Sequence, residues 1–140
     1  MKRNNIKNTL IGMGILFFVG GLLSFSLPQD KKPKPWDVPS EYKTKKNPVP
    51  ADNSSVNTGK MLYMKNCASC HGKTGKGDGP KSRNLETFAG DYTMAEYQKQ
   101  TDGEMFYKTK VGRDDMPGYE GKLSDEDMWH IVNYMRTFDD

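Results

Sequence analysis

The sequence has few of the residues from which disulfides and metal sites are built, with two cysteines and two histidines among 140 residues. A structural zinc ion takes four protein ligands, and the two histidines lie far apart in the chain, so a zinc site is hard to assemble. Only 34% of the residues are hydrophobic and the mean hydropathy is −0.84, which excludes a protein with several membrane spans. The glycine-rich stretch 72–79 lacks the preceding strand and the Gly-Lys-Ser/Thr ending of a phosphate-binding loop.

The net charge of +3 is unevenly distributed along the chain. Positive charge is concentrated in the first seven residues and in residues 28–54, which carry six lysines against four acidic residues. Residues 55–140 are left with a net charge of about −2. The sequence pI of about 8.8 therefore reflects the N-terminal part, and we expect no nucleic-acid partner.

The most informative stretch is Cys67-Ala68-Ser69-Cys70-His71, in which a histidine directly follows the second of two closely spaced cysteines. This is the pattern of covalent c-type haem attachment. Each thiol adds to one vinyl group of the porphyrin, and the imidazole that follows is a standard proximal ligand of the iron. Both cysteines are used by this motif, so no disulfide can support the fold. A thioredoxin-like dithiol is the alternative, but it belongs beside βαβ patterning, which the sequence lacks.

Residues 1–27 are predicted to be a membrane anchor. Basic residues at the start precede an uncharged run that is mostly apolar over residues 10–27. Eighteen helical residues span about 27 Å, close to the roughly 30 Å hydrocarbon core, and the positive flank predicts a cytoplasmic N-terminus. A cleaved signal peptide is the alternative, with Ser24-Phe25-Ser26 as a weak cleavage site, and the domain would then be soluble in the periplasm.

Residues 28–54 contain six of the eight prolines of the chain, together with six lysines. Such a segment cannot form a core, so we expect a disordered, extended and solvated tether that could reach about 80 Å. Trp36 is unusual in it. This residue is expected near the membrane surface or loosely docked on the domain, with contact to a partner as the alternative.

Residues 55–140 are predicted to form an all-α domain of four or five helices. Helices are expected over residues 58–66, 94–100 and 103–111 and from residue 125 onward. Ser124 is the predicted N-cap of the last helix, with Asp127 completing a capping box. The apolar face of this helix should pack across the helix that leads into the cysteines, with Trp129 or Ile131 near Tyr63. Irregular residues with apolar side chains are expected to contact haem or core: Leu85, Phe88 and Tyr92.

Met116 is the candidate for the second axial ligand of the iron. It lies in the stretch 112–119, which proline and glycines keep from being helical, and the residue before Pro117 is held extended. The usual role of a methionine is to fill a core, but a methionine presented in this way suits a metal. Met94 and Met105 are the alternatives, and His130 is expected to be a surface or interhelical histidine rather than a ligand.

The order of these features resembles the mono-haem class I cytochrome c family over residues 55–140. The matching residues are Gly59 and Tyr63 before the motif, Gly77-Asp78-Gly79-Pro80 after it, Met116-Pro117, and the helix that contains Trp129. The anchor and the tether are additions found in only some members of that family.

The resemblance implies a class I cytochrome c fold around one covalent haem c and its iron. Cys67 and Cys70 would be the thioether attachments, and His71 and Met116 the ligands of the iron. The carbonyl group of Pro80 would accept a hydrogen bond from the proximal histidine, which orients the ring.

With histidine and methionine both on the iron no position is open for a substrate, so we expect a one-electron carrier and not an enzyme. It would sit at the periplasmic face of the cytoplasmic membrane, between a membrane oxidoreductase as donor and an oxidase or reductase as acceptor. We expect no small-molecule substrate. Two alternatives stay open: a fixed cytochrome c subunit of a terminal oxidase or dehydrogenase complex, and a haem-based ligand sensor or peroxidase in which Met116 leaves the iron.

Overall fold

The computed structural model describes residues 35–139 of the chain. Its helices are α1 (Ser40–Lys43), α2 (Asn53–Asn66), α3 (Ala68–His71), α4 (Ala95–Gln98), α5 (Asp102–Val111) and α6 (Asp125–Arg136), with a short 3-10 turn at Ser82–Asn84. This part of the chain contains no strand and only two isolated bridges, so the prediction of an all-α domain is confirmed for it.

Side chains in the first turns determine where the longer helices begin. The carboxylate of Asp52 accepts a hydrogen bond from Ser55 N at 2.8 Å, so α2 begins earlier than residue 58, the predicted start. Ser124 and Asp127 form the predicted capping box at the start of α6, and α5 begins with a second capping box. The helices that position the site are therefore bounded by local sequence.

Helices α2 and α6 cross at Gly59, where their backbones touch. A Cβ at Gly59 would lie 1.9 Å from the carbonyl oxygen of His130 in α6. Next to the crossing, the ring of Tyr63 packs edge-on against Tyr134, with centroids 5.3 Å apart. The His130 side chain lies between the helices as predicted, with its Nδ1 2.8 Å from Ser55 Oγ. The close approach requires the absence of a side chain at residue 59.

The core lies between α2, α5 and α6. Its largest fully buried side chains are Tyr63, Phe106, Met128, Ile131 and Val132. Trp129 or Ile131 was predicted near Tyr63, and of these Trp129 instead stacks on Phe106 of α5 with ring centroids 4.1 Å apart. The predicted apolar face of α6 is thus shared between α2 and α5, because a helix packed on two neighbours buries a wider stripe.

Residues 35–54, called the docked segment below, pack on the domain. The predicted extended, solvated tether over 28–54 is wrong for this part of the range. Val38 is only 4% exposed, and the ring of Tyr42 lies 4.7 Å from that of Tyr107 in α5. The prolines and lysines predicted solvation, but the apolar side chains between them bury enough surface to hold the segment in place.

A buried amide joins the docked segment to α6. Asn133 Nδ2 lies 3.2 Å from the carbonyl oxygen of Val49, 3.3 Å from that of Pro50 and 2.7 Å from Ser55 Oγ. Asn133 Oδ1 accepts a hydrogen bond from Asn47 Nδ2 at 2.7 Å. The segment is therefore held by specific polar contacts as well as by burial.

The predicted anchor, residues 1–27, lies outside the described residues, as does the start of the predicted tether. Within residues 35–139, no helix has the length and apolar character needed to cross a membrane. The anchor stays a prediction.

Candidate functional site

The Cys-x-x-Cys-His motif forms the turn that follows α2. Cys67 N donates to the carbonyl oxygen of Tyr63 at 2.8 Å, so the last turn of α2 fixes the first cysteine. His71 N donates to the carbonyl oxygen of Cys67 at 3.0 Å, which closes the motif into the short helix α3. Neither cysteine forms a disulfide, and burial raises the pKa of the Cys67 thiol to about 12, which keeps an unattached thiol uncharged at neutral pH.

The glycine-rich loop after the motif folds back against the motif's backbone. Gly77 N donates to the carbonyl oxygen of His71 at 2.8 Å, and Gly79 N donates to that of Cys70 at 3.2 Å. A Cβ at Gly79 would lie 2.5 Å from the carbonyl oxygen of Ser69, so this approach requires glycine. The loop satisfies the carbonyl groups of the motif and supports its conformation.

A cavity of about 700 Å³ opens beside the motif. Cofactor sites typically measure about 300–1,000 Å³. The cavity wall contains Cys67, Cys70, His71 and Met116. Pro80, the other predicted haem-contacting residue, lies in the glycine-rich loop and is not part of the wall. The structure thus brings together the predicted attachment and ligand residues, although they come from two distant parts of the chain.

His71 is buried in this wall, with 8% of its surface exposed. Its Nε2 lies 3.3 Å from the hydroxyl oxygen of Tyr92, whose ring stacks on the imidazole at a centroid distance of 4.8 Å. Burial lowers the pKa of His71 to about 4, so the imidazole is neutral at neutral pH, as metal binding requires. Within residues 35–139 the buried Nδ1 has no hydrogen-bond partner, so the structure does not show the predicted bond to the Pro80 carbonyl.

Met116 lies in a tight turn over residues 113–116, called the Met116 hairpin below. Arg113 N donates to the carbonyl oxygen of Met116, and Met116 N donates to that of Arg113, both at 2.8 Å. Asp114 between them has a φ of +51°, and Asp115 Oδ2 accepts a hydrogen bond from Glu86 N at 2.8 Å. The prediction that Met116 lies in a loop is confirmed, and this turn fixes the residue at the cavity wall.

Two other methionines reach the cavity. Met105 of α5 and Met135 of α6 are part of the wall, but each is only 5% exposed and belongs to the helical core. Met94, the other alternative ligand, is 48% exposed and is not part of the wall. Sequence analysis missed Met135 because its helical spacing indicates a core residue and says nothing about a neighbouring cavity.

Aromatic, charged and uncharged polar side chains share the remaining wall. The aromatic residues are Trp36, Phe88, Tyr92, Tyr97 and Tyr119. The charged residues are Lys65, Lys81, Lys108 and Arg113, with Asp114 and Asp115. Leu85 also lies in the wall, so the predicted contacts of the irregular segment are confirmed. Aromatic side chains suit the apolar faces of a porphyrin, and an excess of positive charge suits its carboxylates.

Trp36 and Arg113 were not predicted to meet at the cavity. From the sequence, Trp36 was expected near the membrane surface or loosely docked on the domain, and neither expectation gives the place of docking. In the sequence, Arg113 is a basic residue of a loop, next to two acidic residues, and nothing distinguishes it from a solvent-exposed arginine. Only the fold shows that both belong to the cavity wall.

The family model described as Cytochrome c matches residues 56–139. The chain belongs to the cytochrome c family. A search of curated proteins finds no match. The residues of the site fit haem c, since two cysteines outside any disulfide, a buried neutral imidazole and a mainly apolar cavity of suitable size lie together. This cytochrome c carries covalently bound haem c with its iron, and its class of function is haem-based electron transfer.

Solved structures with the same fold include the Kuenenia stuttgartiensis reducing HAO-like protein complex Kustc0457/Kustc0458, at a TM-score of 0.60 and 24% identity. That match covers 65% of this chain and 46% of the other, so this cytochrome spans less than half the length of that protein. The KustC0563 c-type cytochrome has a TM-score of 0.52 and 26% identity, and the match covers 59% of this chain and 98% of the other.

Proposed function

We propose that this cytochrome c is a one-electron carrier whose haem is attached through Cys67 and Cys70 and ligated by His71 and Met116. The bound haem supplies an iron that cycles between Fe(III) and Fe(II). The observation that carries the proposal is that a buried neutral imidazole and a loop-held methionine belong to the wall of one cavity, beside both thiols.

The way Met116 is held favours a carrier over a ligand sensor or a peroxidase. The backbone bonds between Arg113 and Met116 and the bond from Glu86 N to Asp115 restrain the Met116 hairpin at two points. A restrained methionine would leave no position of the iron open to substrates or exogenous ligands. Ligation by a thioether also raises the reduction potential, which suits transfer to an oxidising acceptor.

The visible spectrum of the ferric protein tests this assignment. Methionine-ligated ferric haem has a weak charge-transfer band in the near-red, a property of the cytochrome c family. We expect the band in the wild type and its complete loss in Met116→Ala, together with a lower reduction potential. Met94→Ala is the matched control, because Met94 is exposed and away from the cavity. A band that survives in Met116→Ala and disappears in Met105→Leu would assign the ligand to Met105.

We further propose that residues 1–27 hold the domain at the periplasmic face of the cytoplasmic membrane, where it exchanges electrons with a membrane oxidoreductase and an oxidase or reductase. The cationic, then apolar, N-terminal sequence supports an anchor. The N-terminal sequence of the mature protein tests it. An intact N-terminus supports the anchor, whereas a start near Leu27 means a soluble periplasmic carrier.

The docked segment favours a second candidate function, that of a fixed subunit in an oxidase or dehydrogenase complex. Because residues from 35 onward pack on the domain, a tether can include only residues 28–34 of the predicted range, about 25 Å when fully extended. Such a short connection limits the movement between distant partners. Mild solubilisation of membranes distinguishes the two roles: stoichiometric co-purification with other redox subunits supports the fixed role, and release as a single chain supports the carrier.

A further inference from the structure

Trp36 of the docked segment lies against the Met116 hairpin. The guanidinium carbon Cζ of Arg113 lies 4.3 Å from the centroid of the Trp36 ring, within the range of a cation–π contact. Arg113 Nη1 also donates to the carbonyl oxygen of Pro35 at 2.7 Å. Trp36 is half-buried and belongs to the same cavity wall as Met116. One arginine thus contacts two consecutive residues of the docked segment.

The same arginine is paired with Met116 through the backbone. Two reciprocal hydrogen bonds, both at 2.8 Å, join the backbones of Arg113 and Met116, so a displacement of the Arg113 backbone also displaces that of Met116. The loop around the hairpin is tight, since a Cβ at Gly112 would lie 2.3 Å from Gly118 N. A loop packed this closely transmits a displacement and does not absorb it.

We propose that Trp36 is a positioning residue for Met116 and that, through Arg113, it keeps the methionine on the iron. The inference rests on the proposed His71 and Met116 ligation. Trp36 is not the only attachment of its segment, because Val38 is buried and Tyr42 packs on Tyr107 independently. Replacement of Trp36 therefore weakens the contact with the hairpin and leaves the segment docked.

Imidazole binding to the ferric, haem-loaded, full-length protein tests this role. Exogenous imidazole reaches the iron only when Met116 leaves it, so its apparent affinity measures the open fraction of the site. We expect Trp36→Ala to increase the affinity about 3- to 30-fold, the equivalent of one partly buried cation–π contact. Hydrogen exchange of the Arg113 and Met116 amides should accelerate by a similar factor, which reports hairpin opening without reference to the iron.

Two variants serve as controls. Trp36→Phe retains an aromatic ring and should restore most of the wild-type affinity and exchange rates. Lys45→Ala removes a different cation–π contact of the docked segment, 5.3 Å above the ring of Tyr42, and should change neither quantity. Equal changes in Trp36→Ala and Lys45→Ala would mean that loosening of the segment as a whole is the cause, which overturns the specific role of Trp36.

The outcomes separate this inference from the proposed function. A wild type that lacks the near-red methionine band overturns the ligation and the positioning role together. A wild type that shows the band, with unchanged imidazole affinity and unchanged amide exchange in Trp36→Ala, overturns the positioning role alone. Slower exchange at the hairpin in Trp36→Ala would also contradict the inference.

Discussion

The crossing of α2 and α6 makes Gly59→Ala a quantitative test of the core. The new Cβ would start 1.9 Å from the carbonyl oxygen of His130 and 2.6 Å from its carbonyl carbon. Both atoms are backbone, so no side-chain rotation relieves the clash, and the helices must separate by roughly 1.5 Å to restore ordinary contact. Overpacking costs about 3 kcal/mol at the upper end of its usual range, and the helix propensity of alanine offsets about 1 kcal/mol. We expect the free energy of unfolding to fall by about 2 kcal/mol.

Urea denaturation of the haem-loaded protein, followed by far-ultraviolet circular dichroism, measures this change at a constant m-value. Lys60→Ala is the matched control, since residue 60 is exposed on the same helix and gains an alanine without a clash. Its stability should stay within about 0.5 kcal/mol of the wild type. If Gly59→Ala were as stable as Lys60→Ala, the close crossing would be refuted, and with it the positions of α2 and α6 around the cavity.

Two further substitutions test buried polar contacts. Asn133→Leu leaves the carbonyl groups of the docked segment without their amide partner. The free energy of unfolding, measured by urea titration, should fall by about 2–3 kcal/mol. An unchanged free energy of unfolding would contradict the packing of that segment. Tyr63→Phe removes the buried hydrogen bond from the phenol to the carbonyl oxygen of Gly72 at 2.9 Å and should lower the melting temperature, at a cost of about 1 kcal/mol. A melting temperature at or above that of the wild type would show that this bond does not support the motif.

The features that could be predicted are those decided by neighbouring residues. The Cys-x-x-Cys-His motif carries its chemistry in five consecutive positions, and the capping box of Ser124 and Asp127 needs only one turn. The loop position of Met116 was predicted because Pro117 and the nearby glycines exclude a helix there. In each case the local chain has one low-energy conformation, and the rest of the fold does not override it.

The features that were missed depend on contacts between distant residues. The docked segment is held by burial of Val38 and by the bond from Asn47 to Asn133, which are 86 residues apart. Segments rich in proline and lysine are on average solvated and disordered. Here a few apolar side chains are buried against the folded domain, and their burial holds the segment in place. The same applies to Trp129, whose partner Phe106 lies on another helix.

Helices α2 and α6 are far apart in the sequence, so they are synthesised at different times. During synthesis the Cys67–His71 motif leaves the ribosome well before Asn133, the residue that ties α6 to the docked segment. The cavity cannot be complete while α6 is missing, because Ile131 and Met135 form part of its wall. The wall beside the two thiols is therefore complete only after α6 has packed. Completion of the haem cavity thus depends on the last helix to be synthesised in the described part of the chain.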